Sequence, residues 1–430
     1  MTRPDVVIVG GGPAGSSTAW VLARAGARVL LLDRARFPRD KPCAEYLSPQ
    51  ASRVLADMGA LEACESAGGA QLAGMMVRSP GGATLRGDFA DVRGYRGFRD
   101  RGLALPRRVL DAILLDRART AGACVEEGLR VTDVLRDGRG TVIGVRTLEP
   151  GGAPGTRTAR FVVGADGLRS TIARRLRLAH TARSPRRIAF IAHYTGIADV
   201  GAYGEMHVEH DGYLGIADVG QGVANVAVVV PAGHARAAAG DPAGFMESWI
   251  AARKHVVGRF ARATRSGPVW ATGPFASRAR KSWVPGLALV GDAHDFFDPF
   301  TGEGIYNALR GGELLGAALL RALGADTQSG ANAALAGYSA ARRREFGAKA
   351  RVERLIGLAI EYPPLMNRLA GAMRQRKELA DLLVGVAGDF VPAREVLSLR
   401  YVATLALAAL RAPAGVPELA KPDSVPAPFT

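Results

Sequence analysis

Apolar residues follow different periods in different parts of the chain. Near the N-terminus, apolar runs of strand length at residues 5–9 and 28–32 flank a glycine turn and an alanine-rich stretch of helical length. Residues 107–121 have the spacing of an amphipathic helix, and strand-like runs follow near 129–135 and 141–148. This succession of strands and helices is typical of a sheet that is flanked by helices.

Residues 186–231 instead alternate apolar and polar positions in short runs, which predicts a second, mainly antiparallel sheet. A helix near 242–262 and a strand near 268–276 close this sheet, and the run at 287–292 returns the chain to the first one. We therefore predict an α/β protein, α+β overall. The predicted units are 1–75 with 100–180 and 277–330 around the first sheet, 76–99 with 181–276 around the second, 331–411 as a helical cap and 412–430 as a loose, proline-rich tail.

Composition narrows the possible classes of protein. A chain of 430 residues with 48% hydrophobic content can bury a large core. No uncharged apolar stretch is long enough to span a bilayer and no signal peptide precedes the first strand, so we expect a soluble, cytoplasmic protein without a transmembrane segment. Residues 401–411 are too short to span a membrane; we expect them in the core or cap, with peripheral contact to lipid as the alternative.

Charge and cysteine content argue against two other classes. The formal charge of +16 comes from arginines scattered without a dense basic block, so no nucleic-acid partner is expected. Cys43, Cys64 and Cys124 have neither the number nor the spacing of a disulfide framework, a zinc site or an iron–sulfur cluster. We therefore expect no metal.

The glycine turn after the first strand has the spacing of a dinucleotide-binding fingerprint. Gly10, Gly12 and Gly15 suit a tight turn, a close approach of the backbone to a pyrophosphate, and close contact of helix with sheet. Asp33 ends the second strand, 18 residues after Gly15, where an acid accepts a hydrogen bond from a ribose. The predicted cofactor contacts in this segment are Gly10, Gly12, Pro13, Ala14, Gly15, Asp33 and Arg34.

A strand, an acid, a proline turn, two glycines and a helix start follow one another between residues 288 and 307. Asp292 follows the strand, where a carboxylate can hold the hydroxyls of a polyol. The helix after Gly302 presents free N–H groups to any negative charge in front of it. The predicted contacts in this segment are Gly291, Asp292, Pro299, Gly302, Glu303, Gly304 and Ile305.

Three segments together carry a family resemblance. The early glycine fingerprint, Gly-Ala-Asp166-Gly and Gly291-Asp292 resemble, in order and spacing, the three FAD motifs of flavoproteins with the p-hydroxybenzoate hydroxylase fold. The resemblance implies FAD as cofactor, a Rossmann-type FAD-binding domain, an antiparallel substrate-domain sheet over the flavin, and C-terminal helices.

Within that group, two further segments are most similar to the geranylgeranyl reductase superfamily. They are Lys-Pro-Cys43-Ala-Glu-Tyr-Leu-Ser-Pro and Asp298-Pro-Phe-Thr-Gly-Glu-Gly-Ile, and the resemblance extends through Gly388-Asp-Phe-Val-Pro. The resemblance implies that the helix after Gly302 points its N-terminus at the flavin edge where negative charge accumulates on reduction. A helix N-terminus favours such charge by about 0.3–1 kcal/mol when exposed and up to about 2 kcal/mol when partly buried.

Two further cofactor contacts rest on the resemblance and have structural alternatives. It implies that Arg107 contacts the cofactor, although Arg107 could also be a solvated residue at a helix start. It also implies that Asp166 lies near the pyrophosphate. Asp166 precedes a helix, however, and could equally well cap its free N–H groups.

The reaction is less determined than the cofactor. One dinucleotide fingerprint and no redox-active cysteine pair are present, so electrons are expected from transiently bound NAD(P)H or from a separate donor. The leading prediction is an NAD(P)H-dependent monooxygenase that hydroxylates or epoxidises a hydrophobic or aromatic small molecule. A geranylgeranyl reductase-like reductase of carbon–carbon double bonds is one alternative, and a non-catalytic flavin-binding protein is the other.

Two departures from related flavoproteins bear on this choice. Geranylgeranyl reductases resemble one another in a Trp-x-Phe-Pro segment after a Gly-Tyr, whereas here the segment from Gly212 reads Gly-Tyr-Leu-Gly-Ile-Ala-Asp. This difference favours a substrate other than a polyprenyl chain. The Trp-x-Trp-x-Ile-Pro segment of flavin halogenases does not occur in the sequence.

Candidate residues for the chemistry lie in segments that the resemblance brings toward the flavin ring. The candidate catalytic residues are Cys43, Glu45, Tyr46 and His294. A thiol at position 43 could donate a proton or simply pack. The candidate substrate-binding residues are Tyr194, His207, Tyr213 and Phe297. One sequence does not fix which face of the second sheet each residue occupies.

Overall fold

The computed structural model describes residues 3–181 and 186–412. Its strands are β1 Val6–Val9, β2 Val29–Asp33, β3 Tyr46–Leu47, β4 Ala70–Leu72, β5 Gly74–Arg78, β6 Thr84–Asp88, β7 Gly102–Ala104, β8 Cys124–Glu127, β9 Arg130–Arg136, β10 Val142–Leu148, β11 Pro154–Thr158, β12 Phe161–Gly164, β13 Ala179–Thr181, β14 Arg187–Thr195, β15 Tyr203–Glu209, β16 Gly212–Gly220, β17 Val223–Pro231, β18 Thr264–Thr272, β19 Ser277–Ala279, β20 Trp283–Val284, β21 Leu287–Leu289 and β22 Asp295–Phe296. Its helices are α1 Pro13–Arg24, α2 Ala51–Asp57, α3 Leu61–Ser66, α4 Arg107–Thr120, α5 Thr171–Arg175, α6 Pro242–Ala251, α7 Lys254–Val257, α8 Gly304–Leu323, α9 Gln328–Phe346, α10 Lys349–Glu361, α11 Pro363–Gln375, α12 Lys377–Ala387 and α13 Leu399–Arg411.

A six-stranded sheet with the order β20-β21-β12-β1-β2-β8 forms the first layer. Its strands are parallel apart from β20, which runs antiparallel at one edge. All four residues of β1 are buried because helices cover one face of the sheet, and the β9–β11 meander with α5 covers the other. Since parallel strands end at the same edge, β1, β12 and β21 deliver their following loops to one crevice.

A seven-stranded sheet with the order β18-β14-β17-β16-β15-β5-β6 forms the second layer. Its pairs are antiparallel except for β15 with β5. The outer face packs against α6 and α7, and the inner face packs toward α10, α11 and the loop before α8. The strand predicted at 268–276 is β18, which ends shortly before Pro274, where the ladder would lose a donor.

The C-terminal helices cover β5 and β6 and close the inner face of the second sheet. Leu85 of β6 shares a buried cluster with residues of α10, α11, α12 and α13. No helix within the described residues is long and apolar enough to cross a bilayer. The predicted α/β architecture with an antiparallel sheet is confirmed. The predicted domain boundaries stay predictions, and the proposed tail at 412–430 lies, beyond Ala412, outside the described residues.

Candidate active site

A cavity of about 730 Å³ lies between the carboxyl ends of the parallel strands and the inner face of the seven-stranded sheet. We distinguish two parts of it. The nucleotide end is lined by Gly10, Gly12, Pro13, Ala14, Asp33, Arg34 and Ala35. The ring end is lined by Cys43, Ala44, Glu45, Tyr46, Gly302, Gly304, Ile305 and the inner face of the second sheet.

Two helices direct their N-termini into this cavity side by side. Ser17 of α1 faces Gly312 of α8, and Val21 faces Gly316, so the two helices run parallel in register. A Cβ atom at Gly316 would lie 2.6 Å from a methyl of Val21, so glycine is needed for this close approach. The hydroxyl of Ser17 donates to the carbonyl of Leu309 at 2.8 Å and adds to the packing. Both positive helix ends are thereby available to one anionic ligand.

The glycine turn at the start of α1 is shaped for close approach of a ligand. A Cβ atom at Gly10, which has φ 107°, would lie 2.4 Å from the carbonyl oxygen of Ala165, and one at Gly15 would lie 1.8 Å from that of Gly10. Gly12 faces the cavity and has no side-chain cap to α1. The guanidinium groups of Arg107 and Arg39 lie 3.6 and 3.7 Å from where its Cβ atom would be. Free N–H groups and two cations fit a pyrophosphate.

Asp33 occupies the end of β2 at the same end of the cavity. Its carboxylate accepts from the backbone N–H of Gly11 at 2.7 Å and from that of Ala35 at 2.8 Å. A carboxylate has further acceptor capacity, so it can also receive ribose hydroxyls. Arg34 lines the cavity beside it. These positions fit the adenosine half of FAD, and the individual contacts with the cofactor stay predictions.

The structure favours the capping alternative for Asp166. One carboxylate oxygen accepts from the Ser170 hydroxyl at 2.5 Å, and the other accepts from the backbone N–H groups of Thr171 and Ile172 at 2.7 and 3.2 Å. The side chain is therefore engaged by the start of α5. Asp166 still lines the cavity through its position at the end of β12, and its carboxylate orients the turn that follows this strand.

Gly291 and Asp292 follow β21 at the middle of the cavity. Gly291 has φ 62°, and its Cβ atom would lie 2.9 Å from that of Ala14, so a larger residue would separate the turn from α1. Asp292 lines the cavity and lies 3.7 Å from the ammonium group of Lys41, in a position that fits ribityl hydroxyls.

His294 does not line the cavity, and the structure does not support its predicted catalytic role. It is buried, and its Nδ1 has no hydrogen-bond partner within the described residues. Burial, together with the charges of Arg342 and Arg278, lowers the pKa of His294 to about 2. The ring is therefore a neutral structural side chain behind the turn at Gly291.

Gly302 and Gly304 line the ring end, but the side chain of Glu303 between them points away from the cavity. Its carboxylate lies 3.0 Å from the ammonium group of Lys349, which also contacts Asp389. Gly302 has φ 72°, and a Cβ atom there would lie 2.6 Å from the ring of Tyr46. Pro299 and Ile305 complete this wall. Glu303 is therefore a buried structural anchor for the start of α8 rather than a cofactor ligand.

The buried cluster around Lys349 ties the cap to the ring end. Burial raises the pKa of Glu303 well above its ordinary value, and burial raises that of Asp389 to about 6. Burial also opposes the charge of Lys349, but the two carboxylates outweigh it and raise its pKa. The Tyr46 hydroxyl is buried close by without a hydrogen-bond partner among the described residues, and burial keeps its pKa well above the usual value. Tyr46 therefore lines the ring end and keeps its neutral hydroxyl buried beside this cluster.

Cys43 and Arg107 form the polar corner of the ring end. The guanidinium group of Arg107 makes two 2.7 Å hydrogen bonds to the fully buried carboxylate of Asp111, which also pairs with Arg39 at 3.0 Å. Although burial opposes its charge, Asp111 and the neighbouring Cys43 raise the pKa of Arg107. The thiol of Cys43 therefore lies against a permanent cation. Because Arg107 is buried, its solvated interpretation is excluded.

Glu45 is held between the two sheets by three hydrogen bonds. Its carboxylate accepts from the backbone N–H of Arg107 at 2.8 Å and from the side-chain amide of Asn225 at 2.9 Å, and it lies 2.6 Å from Nε2 of His193. Hydrogen bonding to Glu45 raises the pKa of His193. Glu45 has φ 60°, a conformation that costs a non-glycine residue about 1–3 kcal/mol and is found mainly where the surroundings enforce it. The amide of Asn225 also donates to the carbonyl of Cys43 at 2.9 Å.

The inner face of the second sheet is mostly small and apolar. The residues lining the cavity from this face include Ala189, Ile191, Gly204, Met206, Gly215, Ala217, Ala227 and Val229. Tyr213, a predicted substrate-binding residue, lines the cavity, but its hydroxyl already donates a hydrogen bond to Asp298 at 2.6 Å.

The other three predicted substrate-binding residues do not line the cavity. Tyr194 packs on the outer face against Phe260, because strand alternation turns it away from the cavity. His207 also does not line the cavity, and it pairs with Glu205 at 2.9 Å. Phe297 contacts Gly357 of α10, while its neighbours Phe296 and Phe300 line the cavity instead.

Sequence reasoning missed part of the ring end. Asn225, Asp111 and Lys349 were not identified, and His193 was not separated from its neighbours in β14. A polar residue inside the apolar run Val223–Pro231 was a usable signal for Asn225, because an amide on the inner face of a buried strand needs partners. The others come together only through tertiary contacts.

Comparisons with known proteins agree with this geometry. Residues 3–352 match the FAD binding domain family. The chain is 30% identical to digeranylgeranylglycerophospholipid reductase of Methanosarcina mazei, over 75% of this chain and 76% of that protein. It is 29% identical to menaquinone reductase of Mycolicibacterium smegmatis, over 91% of this chain and 92% of that one. A match of 30% to conditioned medium factor receptor 1 of Dictyostelium discoideum covers 74% of this chain but 63% of that protein.

Solved structures share the fold. A flavoprotein/dehydrogenase from Cytophaga hutchinsonii superposes with a TM-score of 0.81 at 21% identity, covering 95% of this chain and 98% of that one. A probable FAD-dependent monooxygenase, PqsL of Pseudomonas aeruginosa, superposes with a TM-score of 0.66 at 24% identity, covering 85% and 98%. With its glycine turn, paired helix ends and matched residues, this chain belongs to the FAD binding domain family and is an FAD-dependent oxidoreductase.

Proposed function

We propose that the protein uses FAD to reduce a carbon–carbon double bond in an elongated apolar molecule, with Cys43 as the proton donor. The observation that carries this proposal is the position of Cys43, which lies against the buried guanidinium group of Arg107 and lines the same cavity as the apolar inner face of the second sheet. This choice departs from oxygenation, the leading prediction from the sequence.

The sheet wall supports an apolar substrate. Its two main polar side chains are already engaged, because Tyr213 donates to Asp298 and Asn225 donates to Glu45 and to the Cys43 carbonyl. Few hydrogen-bonding groups are left on this wall to hold a polar substrate, and the remaining surface is aliphatic. Burial of apolar surface, worth roughly 25 cal/mol per Å², is then the main source of binding free energy.

Reduction of a double bond requires one hydride and one proton, and FAD, when bound and reduced, supplies the hydride. The thiol of Cys43 would donate its proton to the second carbon, so that the π bond is replaced by two C–H bonds. The negative charge left on sulfur would lie beside the guanidinium group of Arg107. A proton from solvent then restores the thiol.

The relatives named above favour the same class of reaction. Menaquinone reductase and digeranylgeranylglycerophospholipid reductase are similar to this chain at 29% and 30% identity over most of its length. The names of these two relatives specify substrates that contain long apolar groups, so such molecules are tested first, although the segment from Gly212 departs from the geranylgeranyl reductase pattern. We expect NAD(P)H to reduce the flavin by transient binding, because the sequence holds one dinucleotide fingerprint.

The decisive experiment is an anaerobic turnover with NADPH or NADH and a menaquinone or a geranylgeranyl lipid in detergent. We expect a product with two added hydrogen atoms, of which one comes from solvent and is detected as deuterium in heavy water by mass spectrometry. Cys43→Ser should slow flavin reoxidation by the substrate by about 10²–10⁴-fold, the usual contribution of a general acid. FAD content should stay unchanged.

Cys124→Ser is the matched control, because Cys124 is exposed on β8 and does not line the cavity. Tyr46→Phe tests the other unengaged donor of the ring end. An aerobic product with an added oxygen atom, and no anaerobic product, would contradict reduction and support the oxygenation prediction. A large loss in Tyr46→Phe with normal activity in Cys43→Ser would transfer the proton-donor role to Tyr46.

A further inference from the structure

The last described helix, α13, exposes a continuous apolar stripe. Helical spacing of 100° per residue places these positions on one face within about 140° of arc. They are Leu399, Val402, Ala403, Ala406, Leu407 and Leu410, and all of them are exposed. The side chains of Leu399 and Leu410 are 89% and 73% exposed. The opposite face packs against α11 through Ala408 and Ala409. The helix is therefore anchored by one face and presents the other without a partner among the described residues.

A basic pocket borders this stripe on its polar flank. Arg400 and Thr404 lie between the exposed and buried faces of α13, and with Arg376 and Arg93 they line a polar cavity of about 340 Å³. Arg93 is paired with Glu378, and the neighbouring Lys377 is paired with Asp88 and Asp381. Arg376 and Arg400 form no ion pair with any residue of 3–181 or 186–412 and are exposed. Two guanidinium groups without an ion pair among the described residues thus lie beside the apolar stripe, in a pocket that also contains Glu378, the partner of Arg93.

We propose that α13 docks the protein on an anionic phospholipid bilayer, with the apolar stripe in the interfacial layer and Arg376 and Arg400 on lipid phosphates. An interfacial helix needs an apolar face and cations at its border, and α13 has both. Its 13 residues span about 20 Å, enough to lie along a membrane surface but too few to cross one. Each arginine near an anionic surface strengthens binding about fivefold.

Charge favours a bilayer over a second copy of the chain. Two copies meeting through this stripe would bring Arg400 and Arg411 of both molecules to the edges of one contact, within proteins that each carry a formal charge of +16. An anionic membrane, in contrast, attracts these positively charged groups. The helices α10 and α11 also expose large apolar or aromatic side chains. These are Leu355, Leu358, Tyr362 and Leu365, which are 45–61% exposed. Their buried faces pack under the cavity through Ala359, Ile360 and Met366.

The test is cosedimentation of the full chain with vesicles of phosphatidylcholine, with and without phosphatidylglycerol. We expect binding to anionic vesicles at least tenfold stronger than to neutral ones, weakened by salt. Leu407→Gln with Leu410→Gln, and separately Arg376→Gln with Arg400→Gln, should each weaken binding about tenfold or more. Leu148→Gln with Arg136→Gln is the matched control, since both residues are exposed in the β9–β11 meander.

Absence of binding, equal binding to both kinds of vesicle, or equal binding by all variants would overturn the proposal. So would loss of binding in a chain that ends at Ala412, which would assign the contact to residues 413–430. A concentration-dependent dimer abolished by the leucine substitutions would point to a second copy instead. The docking rests on residues distant from Cys43, so vesicle binding and turnover of detergent-dispersed substrate fail independently.

Discussion

The nucleotide end of the cavity is formed mainly by backbone atoms, whereas the ring end is formed by side chains that hydrogen-bond to one another. Gly10 and Gly15 allow the tight turn, and the start of α1 at Gly12 faces the cavity with its backbone, all within one stretch of sequence. At the ring end, Glu45 meets His193 and Asn225 across 148 and 180 residues of sequence. A backbone site is fixed as soon as its strand, turn and helix form. A side-chain site exists only after both sheets and the cap have come together.

The difference separates binding from chemistry. Substitutions at the nucleotide end should change how tightly FAD is held, because they displace the backbone that contacts it. Substitutions at the ring end should change stability, protonation and turnover while FAD is retained. Each of the following substitutions tests either the nucleotide end or the ring end. They are given from the largest expected change in free energy to the smallest.

Lys349→Met should have the largest effect, a loss of about 3–5 kcal/mol in the free energy of unfolding measured with urea. The substitution leaves the buried carboxylates of Glu303 and Asp389 without their cation. Lys254→Met, at an exposed lysine on α7, should change stability by less than about 0.5 kcal/mol. Adding Glu303→Gln to Lys349→Met should recover part of the loss, and a purely additive double variant would contradict the buried cluster.

Gly15→Ala should weaken FAD binding by up to about 100-fold, equivalent to about 1–3 kcal/mol of overpacking. The new methyl group would meet the carbonyl oxygen of Gly10 and push the turn away from α1. Gly337→Ala in α9 is the control, because nothing lies within 4 Å of its Cβ position and alanine favours the helix by about 0.5–1 kcal/mol. Fluorescence titration of the apoprotein with FAD measures both. Unchanged affinity in Gly15→Ala would break the assignment of this turn to the cofactor.

His294 should make the protein less stable as the pH falls. Its pKa is about 2 when folded and about 6.5 when unfolded, so between these values the unfolded state binds more protons. Stability is therefore lost as the pH falls below 6.5. Between pH 6.5 and pH 5, His294→Leu should remove about 2 kcal/mol of that loss, measured by urea unfolding at each pH. Identical slopes for the variant and the parent would show that His294 is accessible to protons.

His193 should act in the opposite direction and with a smaller effect. Its pKa is raised in the folded protein by hydrogen bonding to Glu45, so its stabilising contribution is fully present below the ordinary pKa near 6.5. The contribution is lost as the pH rises through the raised pKa. His193→Gln should cost about 1 kcal/mol in mildly acidic solution and progressively less in alkaline solution. A cost that does not vary with pH would mean that the two side chains share only a neutral hydrogen bond.

The sequence was sufficient to predict the parts of the molecule that are formed by residues close together in the chain. The strand, turn and helix from Val6 to Arg24 and the acid Asp33 follow from apolar period and glycine spacing, and the structure has them at those positions. The same holds for the turn at Gly291 and the start of α8 at Gly304. Family resemblance then supplied FAD, which the family match confirms.

The ring end was predicted less well, for a reason visible in three residues. Tyr194 and His207 lie in β-strands, where successive side chains point to opposite faces of the sheet. The sequence pattern alone therefore does not show which of the two faces these side chains occupy. Glu303 lies between two glycines of the cavity wall, yet its carboxylate is drawn to Lys349, which is 46 residues away in the sequence. Partners at such separations leave no local mark in the sequence.

The glycines on the inner face of the second sheet are positions where the shape of the cavity can change by substitution. A Cβ atom added at Gly204 would first meet the sulfur of Met75 at 2.7 Å, and one at Gly215 would meet that of Met206 at 3.3 Å. Methionine is the most adaptable of apolar neighbours, so such a substitution displaces a flexible thioether rather than the backbone. Substitutions at these glycines would therefore narrow or shorten the cavity one methyl group at a time while the glycine turn at Gly10–Gly15 keeps its shape.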